Sequence, residues 1–165
     1  NAREEAKIKV RQPISEVIID AMDYADDVGI QYDNVVLLQP TSPMRNTDDV
    51  KRALGLYSPE IDMVVSVVET ATNPYYNCFE IDSATGFLHV SKGDGKITRR
   101  QDAPKVWEYN GAVYVINPQS IRSMTMGEFS RKVPCVMPRE RSIDLDTPMD
   151  WMIAELVMTE LSKNK

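Results

Sequence analysis

"NVVLLQPTSPMRNTDDVKRALGLYSPEIDMVVSVVE", Asn34 to Glu69, reads as strand, helix, strand. The run "NVVLLQ" is apolar without interruption and ends in a polar residue, the pattern of a central parallel strand buried on both faces. "TDDVKRALGLY", Thr47 to Tyr57, follows at helical period. Thr47 is its expected cap, Asp48 and Asp49 suit its positive end, and Val50, Ala53, Leu54 and Tyr57 face inward. "DMVVSVVE", Asp62 to Glu69, is a second buried strand. A right-handed crossover of this kind sets its two strands parallel, so the expected class is α/β with a mostly parallel sheet. Ligands of such sheets bind beyond the carboxyl ends of the strands.

Working outward, Ile14, Val17, Ile18, Ala21, Met22, Ala25 and Val28 recur at helical spacing, and Gly29 is the expected stop. The opening run "NAREEAKIKVRQ" has no strand pattern and does not begin with Met, which raises the expectation of a fragment. After Thr70 the pattern changes. "CFEID" and "FLHVS" around "SATG" predict a hairpin, followed by the loop "KGDGKITRRQDAPK". Residues 70–105 bury little by themselves and are expected to project as an insert that pairs two copies in a homodimer. Core patterning resumes with the strand "YNGAVYVIN", a short helix at "PQSIRSM", the strand "VPCVMP", an acidic strand and a closing helix. In that helix Met152, Ile153, Leu156, Val157 and Leu161 form the expected inward face. Without repeats or linkers, residues 1–165 read as a single domain.

Composition excludes several classes. The net charge of -6 opposes nucleic-acid binding, which needs a basic stripe. No apolar run approaches the roughly 20 residues needed to cross a bilayer, and no signal peptide is visible, so neither a membrane nor secretion is expected and the cytoplasm is. Cys78, Cys135 and the single His89 lack zinc-ligand spacing, and both thiols read as small buried hydrophobes.

Four stretches carry candidate chemistry. In "SIDLDTPMDW", Ser142 to Trp151, alternation puts Ile143 and Leu145 on one face and Asp144 and Asp146 on the other. At strand rise the two aspartate Cα atoms lie about 6.5 Å apart, within joint reach of one cation. Thr147, Pro148 and Asp150 then open a helix as cap, first residue and first-turn acid. The same aspartates also suit a cap or a solvated surface. "LLQPTSPMR", Leu37 to Arg45, sets Gln39, Thr41, Ser42 and Arg45 in a proline-stiffened loop at a strand's carboxyl end, a pattern shared with simple proline-rich turns. "TRRQDAP" holds paired arginines suited to carboxylate or phosphate, or to solvent. "YNGAVYV" places Asn110 and Gly111 at a strand start, where glycine admits a close backbone approach or a bulge. No GxxxxGKS, GxGxxG or GxSxG pattern occurs, and Ser42 has no neighbouring histidine, so covalent serine chemistry is not expected.

"LLQPTSPMR", "RRQDAP", "EYNGAVYVIN" and "SIDLDTPMDW" stand in the order found in the acylneuraminate cytidylyltransferases, and the resemblance runs from about Val35 to Leu161. It implies a Rossmann-like sheet of the nucleotide-diphospho-sugar transferase type with a small β-rich dimerisation insert. The implied reaction transfers CMP from CTP to the anomeric hydroxyl of a sialic-acid-like nine-carbon 2-keto sugar acid and releases pyrophosphate. By matching motif, Asp144 and Asp146 resemble the family's Mg²⁺ ligands, Gln39 a sugar contact, Arg100 the partner of the sugar carboxylate, and Asn110 with Gly111 part of the pocket wall. Thr41 and Ser42 join Gln39 on the substrate loop. Tyr76 stands where some members carry a substrate-contacting lysine, which keeps a related acid such as legionaminic acid open. The family's N-terminal strand and CTP-holding loop have no counterpart, so the isolated chain is expected to be a carboxyl-terminal portion with little or no turnover. A non-catalytic binding module of the same fold is the alternative from a different class.

Overall fold

The computed structural model describes residues 13–163, and the opening polar run lies outside them. Helix α1 (Ile14–Asp27) is followed by β1 (Val35–Leu37), α2 (Thr47–Gly55) and β2 (Met63–Glu69). A hairpin of β3 (Phe79–Ile81) and β4 (Leu88–Val90) precedes the long β5 (Trp107–Ile116), the short α3 (Pro118–Ser123), β6 (Lys132–Val136) and the closing α4 (Pro148–Lys163). The class is α/β, as expected.

The sheet itself differs from expectation. Its order is β1-β5-β2-β6, with β5 antiparallel to both β1 and β2, and only β2 and β6 run parallel. The crossover through α2 does aim β1 and β2 the same way. They never pair, because the ten-residue β5 returns from the insert and occupies the slot between them. The sheet is therefore mixed and mostly antiparallel, and the carboxyl ends of β1, β2 and β6 share one edge with the start of β5.

Burial follows the apolar run of β2 but not that of β1. Expected to be central and buried on both faces, β1 is instead a three-residue edge strand with Val36 and Leu38 exposed, since β5 pairs along only one of its sides. β2 is buried along Met63–Val68 and packs with Ala112, Val113, Val115 and Ile116 of β5. On one face Ile18 and Met22 of α1 close over Met63, Val65 and Ile116; on the other Ala53 of α2 closes over Val64 and Val113. Each buried methylene stabilises the fold by about 0.8 kcal/mol. α1 stops where Gly29 adopts φ +75°, a left-handed conformation cheap only for glycine. Of the α1 residues at helical spacing, Ile14, Val17, Ala21 and Val28 are exposed, and so is Leu54 of α2, which was expected to face inward.

Three local expectations are corrected. α2 is capped by Asn46, not Thr47: the Asn46 side chain accepts from Asp49 N–H while the Asp49 carboxylate accepts from Asn46 N–H. The acidic stretch is no strand; it follows a short 3-10 turn (Arg139–Arg141) as irregular chain that bends at Asp146, and Leu145 N–H donates to the Thr41 carbonyl at 2.8 Å. Helix α4 opens as expected, with Thr147 and Asp150 capping each other, but Ala154 is its only buried side chain among the described residues. Met152, Ile153, Leu156 and Leu161 are exposed, because no described element packs over them. Cys135 is buried as expected, whereas Cys78 is half-buried, and both are free thiols.

Candidate active site

Gly111 is the geometric centre. It has φ +70°, and a Cβ built there would lie 2.5 Å from Gln39 Oε1, 2.9 Å from Ser42 Oγ and 3.5 Å from Asp144 Oδ2. Three expected site residues, from the loop after β1 and the acidic stretch, thus converge on the one position in β5 that carries no side chain. The bulge expected as the alternative at Gly111 is present, since β5 shifts register against β2 between Tyr109 and Tyr114, and the side chains crowding the glycine are the protein's own.

The surrounding bonds explain why the convergence is held. Ser42, fully buried, donates through Oγ to the Asn110 carbonyl at 3.0 Å. Arg45 reaches back and donates to the carbonyls of Gln39 and Ser42 at 2.6 and 2.7 Å, fixing the proline-bounded turn. Asn110 is buried, and both ends of its side-chain amide are engaged: Oδ1 accepts from Ser66 Oγ at 2.6 Å and Ala112 N–H, and Nδ2 donates to Ser142 Oγ at 2.8 Å. Ser142 in turn donates to the Pro138 carbonyl. Asn110 is thus a buried tie between β2, β5 and the acidic stretch. Buried polar networks of this kind rigidify when every member is satisfied.

Against that satisfied frame one atom stands out. Asp144 Oδ1 is buried and has no hydrogen-bond partner among the described residues. An unpaired buried carboxylate oxygen is costly, and such a group asks for a cation or a donor from outside the chain. Asp146, two residues on, is exposed. No group of three or more His, Cys, Asp or Glu side chains with metal-holding geometry occurs among the described residues. A cation here would find Asp144 Oδ1 bare, with Asp146 the next carboxylate along the chain.

The acidic stretch is anchored from below by Asp49. This carboxylate is completely buried and accepts from Arg141 Nε at 2.9 Å and Nη2 at 3.1 Å, and from Arg52 at 3.0 Å. Burial pushes its pKa up, but hydrogen bonds from Arg141 and the Asn46 N–H, with the charges of Arg141 and Arg52, outweigh that and hold it below the ordinary carboxylate value. Tyr114, unremarked in the sequence, lies on β5 in edge contact with Tyr109 at 6.3 Å. Its pKa is raised by burial first, then by Tyr109 and the Asp144 charge, so its hydroxyl keeps its proton at neutral pH.

Two expected residues lie away from this cluster. Arg100 sits on a 3-10 turn (Arg100–Asp102) and lines a separate cavity with Lys105, Trp107 and Arg139. Tyr76 is half-buried in the turn before the hairpin, its N–H donating to the Asn73 carbonyl. Arg139, Ser142, Ser66 and Tyr114 were not singled out by the sequence; spacing alone does not show that a turn arginine and a strand tyrosine reach the same edge.

Comparison with known proteins adds a second line. The chain is 33% identical over 131 residues to an N-acylneuraminate cytidylyltransferase of Streptococcus agalactiae, covering 79% of this chain and 30% of that protein. It is 28% identical over 142 residues to the CMP-N,N'-diacetyllegionaminic acid synthase of Legionella pneumophila, covering 86% and 60%. The chain is similar over most of its own length to acylneuraminate cytidylyltransferases. An Escherichia coli N-acylneuraminate cytidylyltransferase matches at 27% over 147 residues, 86% of this chain and 34% of that protein. The chain therefore spans between 30 and 60% of the length of these cytidylyltransferase relatives. No family model matches it. No helix among the described residues is long and apolar enough to cross a membrane.

Proposed function

We propose that the protein carrying this chain transfers CMP from CTP to the anomeric hydroxyl of a sialic-acid-like nine-carbon 2-keto sugar acid. The hydroxyl oxygen forms a bond to the α-phosphorus, the bond from that phosphorus to the bridging oxygen breaks, pyrophosphate leaves, and the hydroxyl proton is lost. The observation that carries this reading is the convergence of Gln39, Ser42 and Asp144 on Gly111, with Asp144 Oδ1 buried and unpartnered among the described residues. A Rossmann-like nucleotidyltransferase sheet is part of the same proposal.

Within it Asp144 and Asp146 hold Mg²⁺. The donor set fits: an unpartnered carboxylate oxygen on Asp144, the exposed carboxylate of Asp146 two residues along the chain, and no group of three or more acidic, thiol or imidazole ligands among the described residues. Mg²⁺ favours one or two carboxylates with phosphate and water oxygens, and it neutralises charge on the phosphates. Gln39 orients the sugar, Arg100 meets its carboxylate, and Ser42 with Asn110 holds the loop and β5 at fixed separation. Positioning and charge stabilisation carry most of such a step.

Legionaminic acid as the acceptor is the second reading, favoured by the 28% identity to a CMP-N,N'-diacetyllegionaminic acid synthase. Assembly as a homodimer through residues 70–105 belongs to the proposal too, supported by the exposed Phe79, Ile81, Phe87 and Leu88 of the hairpin. Pyrophosphate release by the complete gene product, assayed with CTP, Mg²⁺ and a panel of nine-carbon acids, tests the activity. The best sugar separates the two acceptors, and silence with every acid returns the module to a non-catalytic role.

A further inference from the structure

Asp144 stands on chain that has no ladder of its own, since residues 142–145 belong to neither helix nor strand. A segment of this kind holds its shape only through ties to its neighbours. The need is acute at Asp144, because a buried carboxylate oxygen without a partner is costly and would be relieved by turning the chain toward water.

Three ties bracket it. Leu145 N–H donates to the Thr41 carbonyl at 2.8 Å on one side. On the other, Ser142 Oγ accepts from Asn110 Nδ2 at 2.8 Å, and Arg141 donates to Asp49 through Nε at 2.9 Å and Nη2 at 3.1 Å. The first two stay inside the cluster around Gly111. The third leaves it for α2, where Asp49 is fully buried and fixed to the helix start by its reciprocal cap with Asn46. Of the three it alone is charge-assisted and two-pronged, so it sets orientation as well as distance. Arg52 meets the same carboxylate at 3.0 Å from within α2, and its other bond goes to the Val136 carbonyl at 3.1 Å; neither bond touches the acidic stretch. Two arginines therefore share one anion, and one of them carries Asp144 three residues further on.

We infer that Arg141 is a positioning residue for Asp144: its fork on Asp49 sets the acidic stretch against α2 and presents the bare Oδ1 to a cation with little rearrangement. Arg141 acts through Asp144 and meets neither cation nor substrate. The inference rests on the reading of Asp144 and Asp146 as cation ligands, and partners at one remove from such ligands typically govern about 10- to 100-fold in metal affinity.

Mn²⁺ is the probe, its free fraction read by electron paramagnetic resonance on the complete gene product with and without CTP, beside pyrophosphate release titrated with Mg²⁺. Arg141→Gln, folded by circular dichroism, should weaken Mn²⁺ binding roughly 10- to 100-fold and raise the Mg²⁺ needed for half-maximal turnover by a like factor, while saturating Mg²⁺ restores most of kcat. Arg141→Lys, which keeps the charge and loses the fork, should fall in between. Arg52→Gln strips the same anion from the helix side; it should lower the urea midpoint as Arg141→Gln does and leave Mn²⁺ affinity at the parent value. Should Arg141→Gln not fold, Arg141→Lys against Arg52→Lys makes the same comparison. Mn²⁺ affinity unchanged by loss of the Arg141 fork, or lowered equally in the Arg52 variant, overturns the positioning role and leaves the pair a stability element. The two failures are distinct: a parent that binds Mn²⁺ with Arg141 indifferent removes only this role, whereas a parent that binds none removes the cation reading and the role with it.

Discussion

Arg141 grips Asp49 through two nitrogens, Nε to Oδ2 at 2.9 Å and Nη2 to Oδ1 at 3.1 Å, and so ties the start of α2 to the turn that precedes the acidic stretch. Asp49 is fully buried, and it also holds Arg52 and closes the cap with Asn46. Asp49→Ala removes the anion between two arginines together with a helix cap, at an expected loss of about 3 kcal/mol. Urea unfolding checks this; a loss within a few tenths would show the pair to be inert.

The same carboxylate sets a pH dependence. Its pKa is lowered in the folded state, so the unfolded chain binds more protons through the acid range and stability rises with pH there. The contribution is complete above the ordinary carboxylate value of about 3.9 and is lost as pH falls through the lower, folded value. Asp62, lowered chiefly by its hydrogen bond from Arg131, adds in the same direction. Denaturant midpoints measured between neutrality and the acid limit should fall toward acid, and Asp49→Asn should flatten that fall.

Gly111→Ala should disturb the site more than its size suggests. The new methyl meets Gln39 Oε1 at 2.5 Å and Ser42 Oγ at 2.9 Å, on a backbone at φ +70° that L residues rarely adopt. Strain and displacement together should cost about 1–3 kcal/mol. Activity should fall further than stability, since Gln39 must move off its rest position. An unchanged KM and kcat in the complete gene product would place Gln39 outside the substrate path.

Asp144→Asn and Asp146→Asn test the cation. Each should reduce turnover by about two orders of magnitude or more and raise the Mg²⁺ concentration needed for half activity, with the circular dichroism spectrum unchanged. Unaltered Mg²⁺ dependence in both variants would exclude these side chains from the metal site.

How far the fold was legible depends on which force decided each element. The apolar run of β2 reports burial directly, whereas the equally apolar run of β1 does not, because it ends as a short edge strand with Val36 and Leu38 exposed. Sheet order is set by pairing at a distance, so nothing local in "YNGAVYVIN" shows that it runs antiparallel between two strands already aimed alike. Ile143, Asp144, Leu145 and Asp146 alternate as a strand does, yet that stretch makes one backbone bond to Thr41 and no ladder, because alternation states facing and not partnership. Gly111, Gln39, Ser42 and Asp144 were legible as candidates because each is an unusual residue for its place. Tyr114 and Ser66 were not, since a tyrosine or serine within a strand looks like ordinary core until its neighbours are known. The apolar stripe of α4 is real, but its exposure depends on what packs over it.

The central position of β5 has a consequence for how the chain comes to be folded. Val35 must wait for Ile116, and Met63 for the same residue, so the first two strands leave the ribosome long before the strand that joins them. Pairings this remote in sequence are slow to form, and the unsatisfied edges of β1 and β2 remain open to other chains in the interval. During synthesis the most vulnerable species is therefore the nascent chain that has emitted the hairpin and not yet Trp107–Ile116.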